Sequence, residues 1–483
     1  MASVKNNIIL NGLNTVSSLI FPLVTFPYAA RVLLPEGIGL LNFYNSVIGY
    51  ILLLTSLGIP MYAVKEIGRV RDNIKERNKV AAEITLLSLS LCFFGYIVVF
   101  ILIKFVPQIT EHYKLFLILS LTLIFNSIGV NWFYQGIEDF KFITIRALIF
   151  RFMSAISLFV FVKNPNDILL YGWIIVGSTV GNNIVNFYHL KNFLSPSDFY
   201  LRNINIWRHF RPVVHVFILN LISSLYIQLN PIMLGFLSND SQVGYFVAGT
   251  KITHVAITLI SSLGVVMIPR CSNLLQKGDY STFSHIINKS LDLNLALSYP
   301  MMGGLFTLAS SLTYVFCGPE YGSAIPVLLW NIPVVFLINI TTMTGLQILY
   351  PLGKIKLVIY SVSIGAVINI CLNLILIPKV GALGASIATT MTEIIVFIVQ
   401  LSLGRKSFPF SLRKLFNIRY IIGTTIMCIL VYFATIIFNG NSTKVLIGIL
   451  VGASTYFTTM YLLKDQVIND IFLQIFSICK IRK

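Results

Sequence analysis

Apolar residues run along this chain in blocks of about 20, separated by short polar turns. That is the length at which an α-helix crosses a hydrocarbon core. The blocks predict about fourteen spanning helices, at 8–32, 37–59, 80–104, 114–136, 144–163, 168–190, 212–238, 241–270, 290–316, 323–351, 357–378, 382–404, 420–438 and 443–464. Backbone groups in lipid must be satisfied within helices or closed barrels, and the period-2 alternation of a barrel is absent. The predicted class is an all-α polytopic membrane protein. No turn between blocks is long enough to fold as a domain, so any chemistry belongs inside the bundle or at its rims.

Polar residues inside the blocks fall on faces. The first block carries Asn7, Asn11, Asn14, Ser18 and Thr25 at helical spacing, with Pro22 and Pro27 expected to bend it. The second adds Asn42, Asn45 and Ser56. The seventh repeats the plan of the first with Asn220, Ser224 and Gln228, then Pro231. The eighth carries Lys251, His254, Thr258 and Ser261 at i, i+3, i+7 and i+10. Single residues of this kind are commonly interhelical hydrogen-bond glue. A set clustered on matching helices favours a shared hydrated cavity.

The match between helices extends to a repeat. Asn14-Thr-Val-Ser17-Ser18-Leu19 parallels Asn220-Leu-Ile-Ser223-Ser224-Leu225, and Ser56-Leu57-Gly58 parallels Ser262-Leu263-Gly264, both at one separation along the chain. Six predicted helices precede the seventh, so the two copies run in the same direction. Parallel repeats are the plan of transporters that rock one half against the other around a central cargo site. The expected organisation is a six-helix lobe over 1–211, a second over 212–404, and two further helices with a basic tail over 405–483.

Charge changes this picture in two ways. The chain has 35 Lys and Arg against 17 Asp and Glu, 56% hydrophobic residues and a mean hydropathy of +0.84. In a membrane bundle that excess of base reads as the positive-inside rule and not as nucleic-acid binding. With the N-terminus in the cytoplasm, the inside loops and helix ends collect Lys65, Arg69, Arg71, Lys141, Arg146, Arg208, Arg211, Arg405, Lys406, Arg413 and many more. The outside rims hold Arg31, Lys104, Lys114, Lys163, Lys379 and Lys444. Both termini are expected inside. Two bases remain within helices, Arg151 and Lys251. A cation inside a span costs about 3 kcal/mol on insertion scales, so each should face water, an acid, an anionic ligand or, by snorkelling, a rim. Arg31 and Arg270 end their blocks as anchors or gates. Glu393 is the clearest carboxylate within a block, and Asp292 stands at the head of another. Either could carry a coupling proton or pair with a base.

Other chemistry is thin. The six Cys are scattered without a C-x-x-C, and the six His show no metal spacing. There is no G-x-x-x-x-G-K-[ST] loop. No catalytic residue, metal or cofactor is expected, and the first block reads as a retained span and not a cleaved signal.

Three segments carry a family likeness. Phe26-Pro27-Tyr28-Ala29-Ala30-Arg31-Val32-Leu33-Leu34-Pro35-Glu36-Gly37-Ile38-Gly39 resembles the opening signature of the polysaccharide-exporting branch of the MOP superfamily. Val243-Gly244-Tyr245-Phe246 leading to Lys251-Ile252, then Ile268-Pro269-Arg270, is similar to its eighth-helix segment. Asn369, Asn373 and Ile377-Pro378-Lys379-Val380-Gly381-Ala382 are similar to its eleventh-to-twelfth-helix corner. The likeness spans essentially the whole chain and points to the Wzx-type repeat-unit flippases of bacterial inner membranes. It implies two six-helix lobes in a V, two added helices and a cationic central cavity. It also implies a cargo: an undecaprenyl-pyrophosphate-linked oligosaccharide moved from the cytoplasmic to the outer leaflet for O-antigen or capsule, among membrane lipids and beside the polymerase and chain-length proteins of one pathway.

A drug–cation antiporter of the same superfamily would be expected to place an acid in the cavity, whereas the first block has none before Glu36. A peptidoglycan-precursor flippase remains open, since its cargo is also a pyrophosphate lipid. A membrane polymerase or ligase would be expected to carry a large outside loop, and the outside turns here are short.

Overall fold

The computed structural model describes residues 4–194, 204–265, 267–465 and 469, apart from some side chains in the first helix, within 215–227 and around 265. All regular structure among them is helical. The chain divides into two compact units, Met1–Gly244 and Tyr245–Lys483.

The first unit holds α1 (Val4–Ser56), α2 (Ile59–Val70), α3 (Ile74–Phe105), α4 (Pro107–Thr110), α5 (Tyr113–Ile128), α6 (Asn131–Gly136), α7 (Phe140–Phe161), α8 (Ile168–Leu190) and α9 (Trp207–Leu237), and it ends within α10 (Asp240–Val265). The second continues through α11 (Ile268–Gln276), α12 (Tyr280–Cys317), α13 (Ala324–Thr342), α14 (Ile355–Gly404), α15 (Ile418–Ile437) and α16 (Asn441–Leu462). Eleven helices among the described residues are long and apolar enough to cross a membrane, against the fourteen runs read from the sequence. Two of the eleven each absorb a pair of predicted runs. α1 passes through Pro22 and Pro27 and loses helical dihedrals at Leu34 (φ 62, ψ 173). Pro35 explains the position, because its ring disfavours the helical conformation in the residue before it. α14 breaks at Val380 and Gly381, just after Pro378, with Gly381 at φ 55.

In lipid the usual hydrophobic drive between helices is missing, so close packing and buried hydrogen bonds hold the bundle. In the first unit α9 packs along α1 and α2, and α5 along α8. Phe133 and Tyr134 are fully buried beneath α2, and the Tyr134 hydroxyl donates to the Asn186 carbonyl at 2.6 Å. At the break of α1 the packing becomes backbone against backbone. A Cβ on Gly39 would overlap the Asp240 carbonyl, and one on Gly244 would overlap the Pro35 carbonyl. A backbone can approach another so closely only at a residue that has no side chain of its own.

The second unit has a different device. Between α13 and α14, Met343–Leu349 forms a π-helical turn, with Tyr350 donating to Gly345 at 2.8 Å. Such turns are rare and occur frequently at functional sites. Outside the spans, the Asp279 side chain caps α12 by accepting the Thr282 N–H at 3.0 Å, which holds its carboxyl below the ordinary range.

Candidate functional site

The polar face of α1 meets α7. Arg151, half-buried on α7, donates from Nη1 to the Asn14 carbonyl and to Asn14 Oδ1, both at 3.0 Å, and to the Ser17 hydroxyl. A guanidinium has five N–H donors. These bonds all use one nitrogen, Nη1, of the planar fork. Asn14 was expected at this site; Ser17, one position from the expected Ser18, is the hydroxyl that joins it. Ser18 is exposed and donates to the Thr15 carbonyl at 2.6 Å, and Asn42 donates to Ile38 of its own helix at 2.7 Å. Arg31 is exposed, three residues before the α1 break. Gln228 on α9 lies against Gly49 of α1. The side chains of Asn220 and Ser224 lie outside the described residues.

In the second unit α10 carries Lys251, half-buried, and His254, exposed. The stripe runs on to Ser261, whose hydroxyl donates to Asn339 Oδ1 at 2.8 Å. Below it Gln347, on the π-helical turn, accepts from Ser290 at 2.8 Å, and Gln400 donates to the Thr341 carbonyl at 2.7 Å and to the Thr344 hydroxyl at 2.8 Å. A cavity of about 10 Å³ lies among Ser261, Asn294, Asn339 and Gln347, room for one water. Arg270 is exposed on α11, a separate short helix, and not at the end of the α10 span.

The two expected coupling carboxylates differ in setting. Glu393 is 4% exposed within α14. Asp292 lies well inside α12, which begins at Tyr280 and not beside this residue, and it pairs with Lys414 at 2.9 Å. A further acid, fully buried, escaped the sequence reading. Glu83 on α3 is fully buried and accepts the Asn205 N–H at 2.8 Å and Arg208 Nε at 2.7 Å, with His209 Nε2 at 2.9 Å. His209 Nδ1 in turn meets the Tyr62 hydroxyl at 2.8 Å. Its signal was a lone acid at helical spacing from Glu76 on a helix otherwise apolar beyond Lys79. Arg146 also corrects expectation. It was counted among rim bases, yet it is 5% exposed inside α7, because Asn131 and Asn182 from neighbouring helices draw its guanidinium inward at 2.9 and 2.6 Å. Among the described residues no cluster of His, Cys, Asp and Glu could hold a metal ion.

The fold is shared with a class of multi-pass membrane transporters. A solved "Lipid II flippase MurJ, inward closed conformation" superposes with a TM-score of 0.76 over 94% of this chain and 98% of that one, at 17% identity. An inward-facing multidrug resistance MATE family transporter of the MOP superfamily superposes at 0.63 over 83% and 97%, at 14% identity. The chain belongs to the family described as "Polysaccharide biosynthesis protein", which matches residues 4–275. A relative in Escherichia coli strain K12, described as "Putative O-antigen transporter", is 26% identical over 412 residues, 84% of this chain and 97% of its own length. "Lipid II flippase MurJ" of Bacillus subtilis strain 168 is 32% identical over 147 residues, 29% of this chain and 26% of its own.

Proposed function

We propose that this protein moves a lipid-linked polysaccharide repeat unit from one leaflet to the other, with no bond broken. The observation that carries the proposal is Arg151, fixed by Asn14 and Ser17 through one nitrogen of its fork, in a chain of the polysaccharide biosynthesis family. The cargo is an undecaprenyl-pyrophosphate oligosaccharide. Its phosphates suit the guanidinium and the Lys251 ammonium, and its hydroxyls suit Asn, Gln and Ser side chains. Lobes over 1–211 and 212–404 alternate access, with 405–483 as an appended pair of helices. The protein sits in the bacterial inner membrane with both termini cytoplasmic and delivers to polymerase and chain-length proteins. Glu393, buried within α14, and Asp292, paired with Lys414, are the two candidates to bind a coupling proton.

The test is reconstitution into liposomes with a fluorescent undecaprenyl-pyrophosphate oligosaccharide, following exposure of its headgroup to an impermeant quencher. Wild-type protein should move the lipid intact. Arg151→Gln and Lys251→Ala should each lower the rate by about 10- to 100-fold, the worth of one hydrogen bond to a charged group. Normal transport by both variants at equal expression would end the proposal. The MurJ likenesses favour a second reading, a peptidoglycan-precursor cargo, and competition by that lipid in the same assay separates the two.

A further inference from the structure

A groove of about 590 Å³ opens on the outer side of α7, within the range of small-molecule sites. Its walls are Ile145, Ile149 and Phe150 from α7 and Val185 from α8. Ile145 and Ile149 belong to an exposed apolar row that continues through Met153 and Ile156 at helical spacing, so this side of α7 faces lipid. Phe150 lies over Gly181 of α8, where a Cβ would meet its ring. The glycine therefore keeps the ring down and the groove open.

The mouth of this apolar groove is basic. Lys141 is exposed there, and Arg146 forms part of the wall. Asp139 is also at the mouth, but it caps α7 by accepting the Phe142 N–H at 3.2 Å. One acid against two bases leaves a net positive charge. Arg146 is the telling residue. Its Nε and Nη2 are bonded to Asn182 and Asn131, and its guanidinium carbon lies 4.9 Å from the centre of the Phe142 ring. Its Nη1 is buried and has no hydrogen-bond partner. An unsatisfied donor on a buried cation is costly, and an anion at the mouth would offset that charge.

We propose that this groove binds an anionic glycerophospholipid, with one acyl chain along Ile145, Ile149 and Val185 and its phosphate at Lys141 and Arg146. Apolar walls continuous with the bilayer favour a lipid over a free phosphate, and the positive mouth favours an anionic over a zwitterionic headgroup. The site lies on the lipid face of α7, away from the α1 contact made by Arg151, and does not depend on the transport reading.

The experiment is native mass spectrometry of the delipidated full chain, titrated with phosphatidylglycerol, with phosphatidylcholine of identical chains, or with undecaprenyl phosphate. Wild-type protein should take up the first phosphatidylglycerol at about fivefold lower concentration than phosphatidylcholine, given one net positive charge near the headgroup. Lys141→Glu should abolish the preference, Ile149→Trp should fill the groove and remove the first adduct, and Lys163→Glu, at the other end of α7, should change neither. All three positions are exposed, so folding is spared. Equal uptake of the two phospholipids, or a preference that survives Lys141→Glu and Ile149→Trp, would overturn the proposal. So would undecaprenyl phosphate displacing phosphatidylglycerol from the site, which would make it a cargo groove.

Discussion

The Glu83 corner of the first unit and the π-helical turn of the second bury polarity in opposite ways. In the first, the deepest polar contacts carry charge: Glu83 gathers Arg208, His209 and the Asn205 N–H, and Arg146 lies between two asparagines. In the second, the network around the π-helical turn is neutral, from Ser290 and Gln347 through Gln400 to Thr341, with Asn331 on Ser386 and Asn369 near Thr392 beyond it. The difference is one of tolerance. A buried ionic cluster is fixed by desolvation, so losing one member strands the others. Amide bonds between membrane helices are weak one by one, averaging about 0.6 kcal/mol, because the separated helices find other partners. The Glu83 cluster is thus built from parts that must all be present, and the network around the π-helical turn from parts that can be exchanged.

The largest effect should come from Glu83→Ala. It leaves His209 without its carboxylate and Arg208 with only the longer contact to Glu76 at 3.4 Å, and should cost about 3 kcal/mol, the lower end for a broken buried pair because Arg208 is 35% exposed. Thermal unfolding in detergent reads this as a marked fall in Tm. Replacing Glu83, Arg208 and His209 together by apolar residues should recover most of it. If the triple variant unfolds as readily as the single one, charge is not what fixes this corner.

Next comes Gln400→Leu in the neutral network. It removes bonds to Thr341 and Thr344 and should cost about 1–2 kcal/mol, the upper range for such contacts. A loss as large as that of Glu83→Ala would erase the contrast between the two networks. Smaller again is Arg71→Ala, which breaks the exposed pair with Glu138 at 2.7 Å. Its effect on Tm should fall within about 1 kcal/mol and fade at high salt. A salt-independent effect would mean that this rim pair behaves as if buried.

Much of the fold was legible because lipid enforces it. Apolar length gave the helices, and Pro35 and Gly381 marked the two breaks through backbone rules that need no partner. Asn14 and Arg151 stood out as polar residues in apolar runs. Glu83 and Arg146 did not, since each lies within one or two turns of a polar rim and reads as solvated. Their partners decide otherwise, and for Glu83 these stand more than 120 positions away. The π-helical turn left no mark either, as its sequence Met-Thr-Gly-Leu-Gln-Ile-Leu would suit an ordinary helix. Register against neighbouring helices, which a single chain does not spell out, made that difference.

The backbone-to-backbone meeting of Gly39 with Asp240 and of Gly244 with Pro35 has a genetic consequence. A seam closed by glycines against backbone offers selection nothing to adjust. In a saturation-mutagenesis library scored for function, Gly39 and Gly244 should behave as absolute positions, refusing even alanine. The lipid-facing residues of α7 should accept nearly any apolar replacement. A lineage could therefore retune this protein's surface freely while that seam stays closed to evolutionary drift.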